Sequence, residues 1–412
     1  MDLLYSCCAG LDLHKDSVVV CVRRFGKDGR CHREVRTFGT VTRDLLSLSD
    51  WLADEGVTHA AMESTGVYWK PVFNILEGRF ELLLVNAQHM KQVPGRKTDV
   101  KDCEWIAQLL QCGLLKASFI PPQPIRELRE LTRQRTQLIG ERSAVVNRIQ
   151  KVLEDANIKL GSVASEVLGV SGRAMLEAMI AGEQDPVKLA DLARKRLRAK
   201  IPELQLALRG RVTDHHRFLL RLFLEQVDHL ENLMGQLSSR IEMVMASVQE
   251  AATRLDTIPG VDRHMAEILV AELGTDMSRF PTEGHLCSWA GMCPGNNESA
   301  GKRRTGKTTR GSRWLRTGLV QAAWAASHTK NTYLSAQYRR LAARRGKKRA
   351  LVAVGHTILV IVYQLLKKGT TYEELGGDYF DRLAPERLTR NLVRRLEKLG
   401  HKVTLEKNEE AA

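Results

Sequence analysis

The chain opens with short apolar runs of strand length. Residues 8–13 and 17–24 are rich in Cys, Val and Leu and are separated by the polar His14-Lys15-Asp16, which predicts two adjacent antiparallel strands. A third strand is expected over 31–38 and a helix over 43–55. Residues 59–63 and 81–86 read as short buried strands flanking a helix at 68–76, a βαβ order that implies parallel pairing. Beyond residue 124 the texture becomes helical, over 124–157 and again over 185–251, with few breakers. The second segment carries an apolar seam, Phe223, Val227, Leu230, Met234, Leu237, Ile241, Val244 and Val248, spaced alternately by four and three residues. Such a heptad stripe must bury itself against another helix, either the 125–156 helix of the same chain or its own copy in another subunit. After Ala251 the pattern changes at Leu255-Asp256-Thr257-Ile258-Pro259-Gly260-Val261, followed by an amphipathic run over 265–273. This predicts a helix-hairpin-helix-like turn, in which Gly260 and the N–H groups at the helix start face a phosphate without reading sequence.

Three hairpin strands followed by α/β crossovers is the order of an RNase H-like fold, so the expected class is α/β followed by α. With 43% hydrophobic and 27% charged residues, the 412-residue chain has the composition of a globular protein of two or three domains, which excludes a disordered or fibrous class. Eight cysteines without CxxC spacing argue against a zinc site or a disulfide framework and suggest reduced thiols in the cytoplasm. The most apolar run, 350–366, is interrupted by His356, Thr357 and Gln364, so it predicts a buried core helix and no membrane partner.

Charge sharpens the picture. The net charge is +15, and residues 301–350 contain 15 Lys and Arg with no Asp or Glu, so the rest of the chain is balanced. A cationic stretch without internal acid fits a polyphosphate partner, because each neutralised phosphate releases condensed counterions. Within it, Lys302, Arg303, Arg304, Lys307 and Arg310 are interleaved with glycines, and Arg313 and Arg316 follow in a helix starting near residue 313. The chemistry alone favours a phosphate-gripping loop, and spacing does not distinguish Ser299 from Ser312 as a nucleophile. Trp314, Trp324, Tyr333 and Tyr338 lie among arginines, where they could stack bases, although helical spacing assigns at least half of them to the core.

Four acids stand out near the N-terminus. Asp12 lies in the first strand, Glu63 ends the fourth, and Asp99 and Asp102 are three residues apart, on one face of any helix starting there. In an RNase H-like sheet the first and fourth strands are neighbours, so Asp12 and Glu63 could converge with that helix packed over them. Carboxylates brought together repel unless a cation compensates, and oxygen-only ligands beside phosphate suit Mg²⁺. Two such ions about 4 Å apart could clamp the attacking and leaving oxygens of a phosphoryl transfer.

The ordered set Gly10-Leu11-Asp12-Leu13-His14-Lys15, Met62-Glu63-Ser64-Thr65-Gly66, Thr98-Asp99-Val100-Lys101-Asp102 and Pro259-Gly260-Val261, ahead of Asn297-Glu298-Ser299-Ala300-Gly301-Lys302, resembles the DEDD transposases of insertion-sequence family 110 over roughly residues 8–365. The resemblance implies a RuvC-like domain at 1–124, a helical coiled coil at 125–250, a transposase domain at 251–372 and an unplaced appendage at 373–412. By position it implies that Asp12, Glu63, Asp99 and Asp102 are catalytic carboxylates holding Mg²⁺, and that Ser299 is the nucleophile forming a transient phosphoserine link to DNA. It further implies a structured guide RNA (bridge RNA) pairing with donor and target DNA, and a homo-oligomer, from dimer to tetramer, with half-sites from different subunits. One departure is Gly311-Ser312 where many relatives have Gly-Asn.

The leading expectation is therefore an RNA-guided DNA recombinase acting through Ser299. The alternatives are a metal-dependent junction nuclease in which water attacks, and a non-enzymatic nucleic-acid-binding protein.

Overall fold

The computed structural model describes residues 3–26, 30–64, 66–86, 102–295, 297–299, 302–309 and 311–406, the side chains of 297–299 and 302–305 excepted. The chain forms two compact units, Met1–Ile120 and Pro121–Ala412.

In the first unit, strands β1 (Cys7–Leu13), β2 (Ser17–Phe25) and β3 (Cys31–Gly39) are followed by helix α1 (Thr42–Asp54), β4 (His59–Glu63), helix α2 (Trp69–Leu76), β5 (Glu81–Val85) and helix α3 (Asp102–Gln111). The sheet order is β3-β2-β1-β4-β5. Strands β1, β2 and β3 pair antiparallel, and β1 pairs with β4, and β4 with β5, in parallel. Alternation along β1 feeds two cores. Ala9, Leu11 and Leu13 face Leu45, Leu48 and Leu52 of α1 and Val72 and Leu76 of α2. Cys8 faces the other way, with Ala61, onto Trp105, Ile106, Leu109 and Leu110 of α3. A mixed sheet covered by helices on both faces is consistent with the expected RNase H-like fold.

The second unit is built on a long helical hairpin, α4 (Gln123–Asp155), four short helices α5 (Leu160–Val163), α6 (Val170–Ile180), α7 (Pro186–Asp191) and α8 (Ile201–Ala207), and the returning α9 (Asp214–Met245). Arg135 donates to Ser238, Arg142 pairs with Glu231 and Asp155 with His216, so numbers rise along α4 as they fall along α9 and the two helices run antiparallel. Leu138, Val145, Ile149 and Val152 pack with Leu220, Leu224, Val227 and Leu230 in one core. The heptad seam of α9 therefore finds a partner within the chain. The segment expected to be helical over 185–251 is helical but divided, with Pro186 and Pro202 each in a first helical turn and Gly210 placed where a Cβ would meet the Ala156 carbonyl oxygen at 2.4 Å.

The C-terminal helices are α10 (Gln249–Asp256), α11 (Arg263–Leu273), α12 (Glu283–Trp289), α13 (Arg313–His328), α14 (Tyr333–Arg345), α15 (Lys347–Lys368), α16 (Tyr379–Arg382) and α17 (Pro385–Lys398), with a hairpin of β6 (Asn297–Ser299) and β7 (Lys302–Thr305) between α12 and α13. Helix α15 is long and apolar enough to cross a membrane by length and composition. It lies inside this helical packing: Val354, Ile358, Leu359 and Val362 are fully buried, and the Tyr363 hydroxyl donates to the Phe280 carbonyl. The segment after residue 372 is partly stitched to the helices. Tyr372 N–H donates to Thr257, Glu374 accepts from the Tyr333 N–H at the start of α14, and Tyr379 and Phe380 pack on the Tyr333 ring.

Candidate active site and nucleic-acid interface

The parallel pairing of β1 with β4 aligns Leu11 with Met62, which brings Asp12 and Glu63 side by side at the carboxyl ends of neighbouring strands. Asp12 shares its face with Gly10 and Cys8, and Glu63 shares its face with Ala61, so both carboxylates project to the side that α3 covers. Helix α3 lies directly on β1 because Gly10 has no side chain: a Cβ there would stand 2.3 Å from both the Ala107 nitrogen and the Cys103 oxygen. The first residue of α3 is Asp102, which is exposed. The Asp12 carboxylate is partly exposed and lies 3.2 Å from the His14 Nε2. Asp99 lies outside the described residues.

The donor chemistry at this edge suits a hard divalent cation. Asp12 and Glu63 offer oxygen from adjacent strand ends, where α/β sheets place their ligands. Burial pushes the nearby thiols of Cys8 and Cys21 up to about 12, so they stay protonated at neutral pH. Among the described residues no three His, Cys, Asp or Glu side chains are grouped closely enough to hold a metal ion.

The cationic segment folds as a hairpin, not as the loop expected from its glycines. Asn297 pairs with Thr305, Glu298 with Arg303 and Ser299 with Lys302. Lys302, Arg303 and Arg304 are thus carried on β7, while Ala300, Gly301 and Arg310, like the side chain of Ser299, lie outside the described residues. The hairpin base is held by Gly295 N–H donating to the Lys307 carbonyl and by Gly311, whose Cβ would strike the Ala290 backbone at 2.3 Å. Next, Ser312 caps α13 by accepting from the Leu315 N–H and donates its own hydroxyl to Glu272 Oε2 at 3.0 Å.

Glu272 was not foreseen from the sequence. It is buried in α11 and binds Arg133 of α4 through both oxygens, at 2.7 and 2.9 Å, while Arg129 donates to the Ala271 and Glu272 carbonyls. Five residues earlier Glu267, also buried, bridges Arg135 at 2.6 Å and Arg263 at 2.9 Å. Burial lowers Arg129 to about 10, which leaves it charged at neutral pH. The available signal was two acids in an otherwise apolar run, matched to the arginines repeating along α4. Arg133 and Arg313 both reach the ring of Trp314, with guanidinium carbons at 5.9 and 4.8 Å from its centroid. Trp324 is 58% exposed and packs on His328, whereas Tyr333 belongs to the aromatic cluster with Tyr379 and Phe380.

Gly260 adopts φ of +86°, and its missing Cβ admits the Ala322 oxygen and Ala326 nitrogen of α13, which would lie at 2.4 and 2.5 Å. The turn opens onto a cleft of about 400 Å³ lined by Asp262, His264, Met265, Gly318 and Gln321. At the start of α11 the Met265 N–H is taken by the Asp262 carboxylate at 2.8 Å, so a phosphate approaching this helix end meets an acid.

Residues 9–158 match the family profile of DEDD-type IS110 transposases, and residues 252–339 match that of the transposase IS116/IS110/IS902 family. The chain is a homologue of the IS110/IS902-family DEDD-type transposases. As such it is an enzyme that breaks and rejoins DNA strands. It is 24% identical over 296 residues to the transposase for insertion sequence element IS1111A of Coxiella burnetii, covering 70% of this chain and 72% of that protein. It is 25% identical over 268 residues to the insertion element IS116 uncharacterized 44.8 kDa protein of Streptomyces clavuligerus, covering 57% and 65%. A putative transposase, y4pF/y4sB, of Sinorhizobium fredii is 29% identical over 140 residues, 33% of this chain and 36% of that protein.

The family match corrects the expected nucleophile. The N-terminal profile, which spans Asp12, Glu63, Asp99 and Asp102, is that of a DEDD-type enzyme, whose catalytic set is acidic. Acids of this kind serve a metal-dependent nuclease mechanism in which water is the attacking group. Ser299 as the nucleophile of an RNA-guided recombinase is therefore replaced by the alternative, a RuvC-like enzyme with water as nucleophile.

Proposed function

We propose that the N-terminal unit cuts a DNA strand by attack of water on a phosphodiester, with Asp12, Glu63, Asp99 and Asp102 as the acidic set and Mg²⁺ as the ion they hold. The observation that carries this reading is the placement of Asp12 and Glu63 at adjacent strand ends, on the face covered by the helix that Asp102 begins. In the step, the water oxygen bonds to phosphorus, the bond to the 3′ oxygen breaks, and the proton lost by water is balanced by one gained on the leaving oxygen. A divalent ion bound there supplies charge stabilisation and a more acidic water. Asp12 is oriented by the His14 ring, and Gly10 sets the depth at which α3 approaches.

In the same reading Lys302, Arg303, Arg304, Lys307 and Arg310, with Arg313 and Arg316, hold the nucleic-acid backbone. A phosphate grip carries no sequence information, which leaves the choice of donor and target sites to a structured guide RNA. Breaking and rejoining two DNAs needs more than one cut, which favours a homo-oligomer, and eight free thiols favour the cytoplasm.

The test is strand cleavage by the full chain on branched DNA with Mg²⁺. Asp12→Asn and Glu63→Gln should each lower the rate by roughly 100-fold or more, chelation should abolish it, and Ser299→Ala should retain it. Undiminished cleavage in either acid variant removes the reading. Sequencing of RNA that copurifies tests the guide.

A further inference from the structure

The short helices at the far end of the α4–α9 hairpin carry a second cationic feature, distinct in sequence from the β6–β7 hairpin. Between Arg194 and Arg211 there are seven Lys and Arg and a single acid, Glu203. Five of those cations, Arg194, Lys195, Arg196, Arg198 and Lys200, crowd into a 3-10 turn, Lys195–Lys200, and the residue before it. All five are exposed. Among the described residues their only ion pair is Arg198 with Asp191, a loose contact at 3.8 Å.

The turn is held firmly. The Arg194 N–H donates to the buried Ser171 hydroxyl at 2.8 Å, and Leu197 packs against the core of the helical hairpin. Anchoring Leu197 to the core leaves the flanking Arg196 and Arg198 on the outside of the turn. At roughly 2 Å rise per residue, the cations from Lys195 to Lys200 spread over about 10 Å of the turn. Lys195 also has φ of +49°. Glycine or asparagine adopts this left-handed conformation at lower cost than lysine.

We propose that this turn is a second contact for a phosphodiester backbone, read as charge and spacing and not as base sequence. A merely solvated surface usually intersperses both signs. Here the cations are concentrated, nearly unpaired and fixed on an anchored turn, which is what counterion release rewards. The site is independent of the metal chemistry above.

The full chain is titrated with DNA and RNA duplexes of equal length and unrelated sequence over a range of KCl. The variant Lys195→Ala/Arg196→Ala/Arg198→Ala should reduce the slope of log affinity against log salt by about 2 to 3 on a DNA duplex, at about 0.9 per phosphate contact, or by a comparable amount on RNA. The duplex that loses affinity identifies the source of the phosphates. Lys195→Gly should reduce the slope by about 1 while Tm is unchanged or raised. Slopes equal to those of the unmodified protein on both duplexes, in both variants, overturn the proposal, whatever the cleavage assay shows.

Discussion

At the scale of single residues, the acidic edge depends on a residue that has no side chain. Asp12 and Glu63 stand out in the sequence because one is a polar position within an apolar strand and the other a polar position ending one, and β pairing puts them side by side. Gly10 could not be interpreted that way, since nothing in a strand pattern says what will lie over it. Its role follows from the crossing of α3 over β1, which leaves no room for a Cβ at this position. Gly10→Ala requires α3 to lift off the sheet or its backbone to distort, because both atoms met at 2.3 Å are main chain and cannot rotate away. The expected cost is about 1 to 3 kcal/mol or more, read as a lower urea midpoint. Cleavage should fall further than stability explains, because Asp102 moves with α3. A variant as stable and as active as the unmodified chain would show that α3 does not fix the acidic edge.

At the scale of elements, the helical hairpin was readable as periodicity and its interruption was not. The seam of α9 follows from seven-residue spacing, which requires a partner but does not name it. Burial of Val227, Leu230 and Ile241, and the descending register of contacts with α4, identify that partner as part of the same chain. Pro186, Pro202 and Gly210 were visible breakers, yet a Leu- and Arg-rich texture hid the short helices between them. The clamp between α4 and α11 was also hidden, since a buried glutamate is recognisable only beside its arginine. Arg133→Leu leaves Glu272 buried with the Ser312 hydroxyl and a loose 3.9 Å ion pair to Arg129 as its remaining side-chain partners, a loss of about 1 to 3 kcal/mol. The double variant Arg133→Leu/Glu272→Leu removes both charges and should recover much of that loss, giving a coupling of about 1 to 3 kcal/mol in a denaturation cycle. Strictly additive losses would mean that the pair does not act as a unit. Because Glu272 also holds the Ser312 hydroxyl at the base of the cationic hairpin, the single variants should weaken nucleic-acid binding as well.

At the scale of the whole molecule, charge and chemistry occupy different parts of the chain. The net charge of +15 arises within residues 301–350, while the acidic edge is complete by residue 102. The location of that charge was fully legible as composition, whereas its folding into a β6–β7 hairpin was not, because glycine and arginine together carry no strand pattern. Separate sites for holding and for cutting should respond separately to substitution. Lys307→Ala/Arg313→Ala/Arg316→Ala should reduce the slope of log affinity against log salt by up to about 3, at about 0.9 per phosphate, and weaken binding alike on unrelated sequences. Asp12→Asn should leave that slope unchanged while cleavage is lost, since a carboxylate neutralises no phosphate and its removal takes away no cation that displaces counterions from DNA. The decisive measurement is both titrations on one DNA duplex, paired with cleavage at saturating protein. If Asp12→Asn shifted the salt slope as the cationic variant does, the acidic edge would be part of the backbone grip and the division between holding and cutting would not stand.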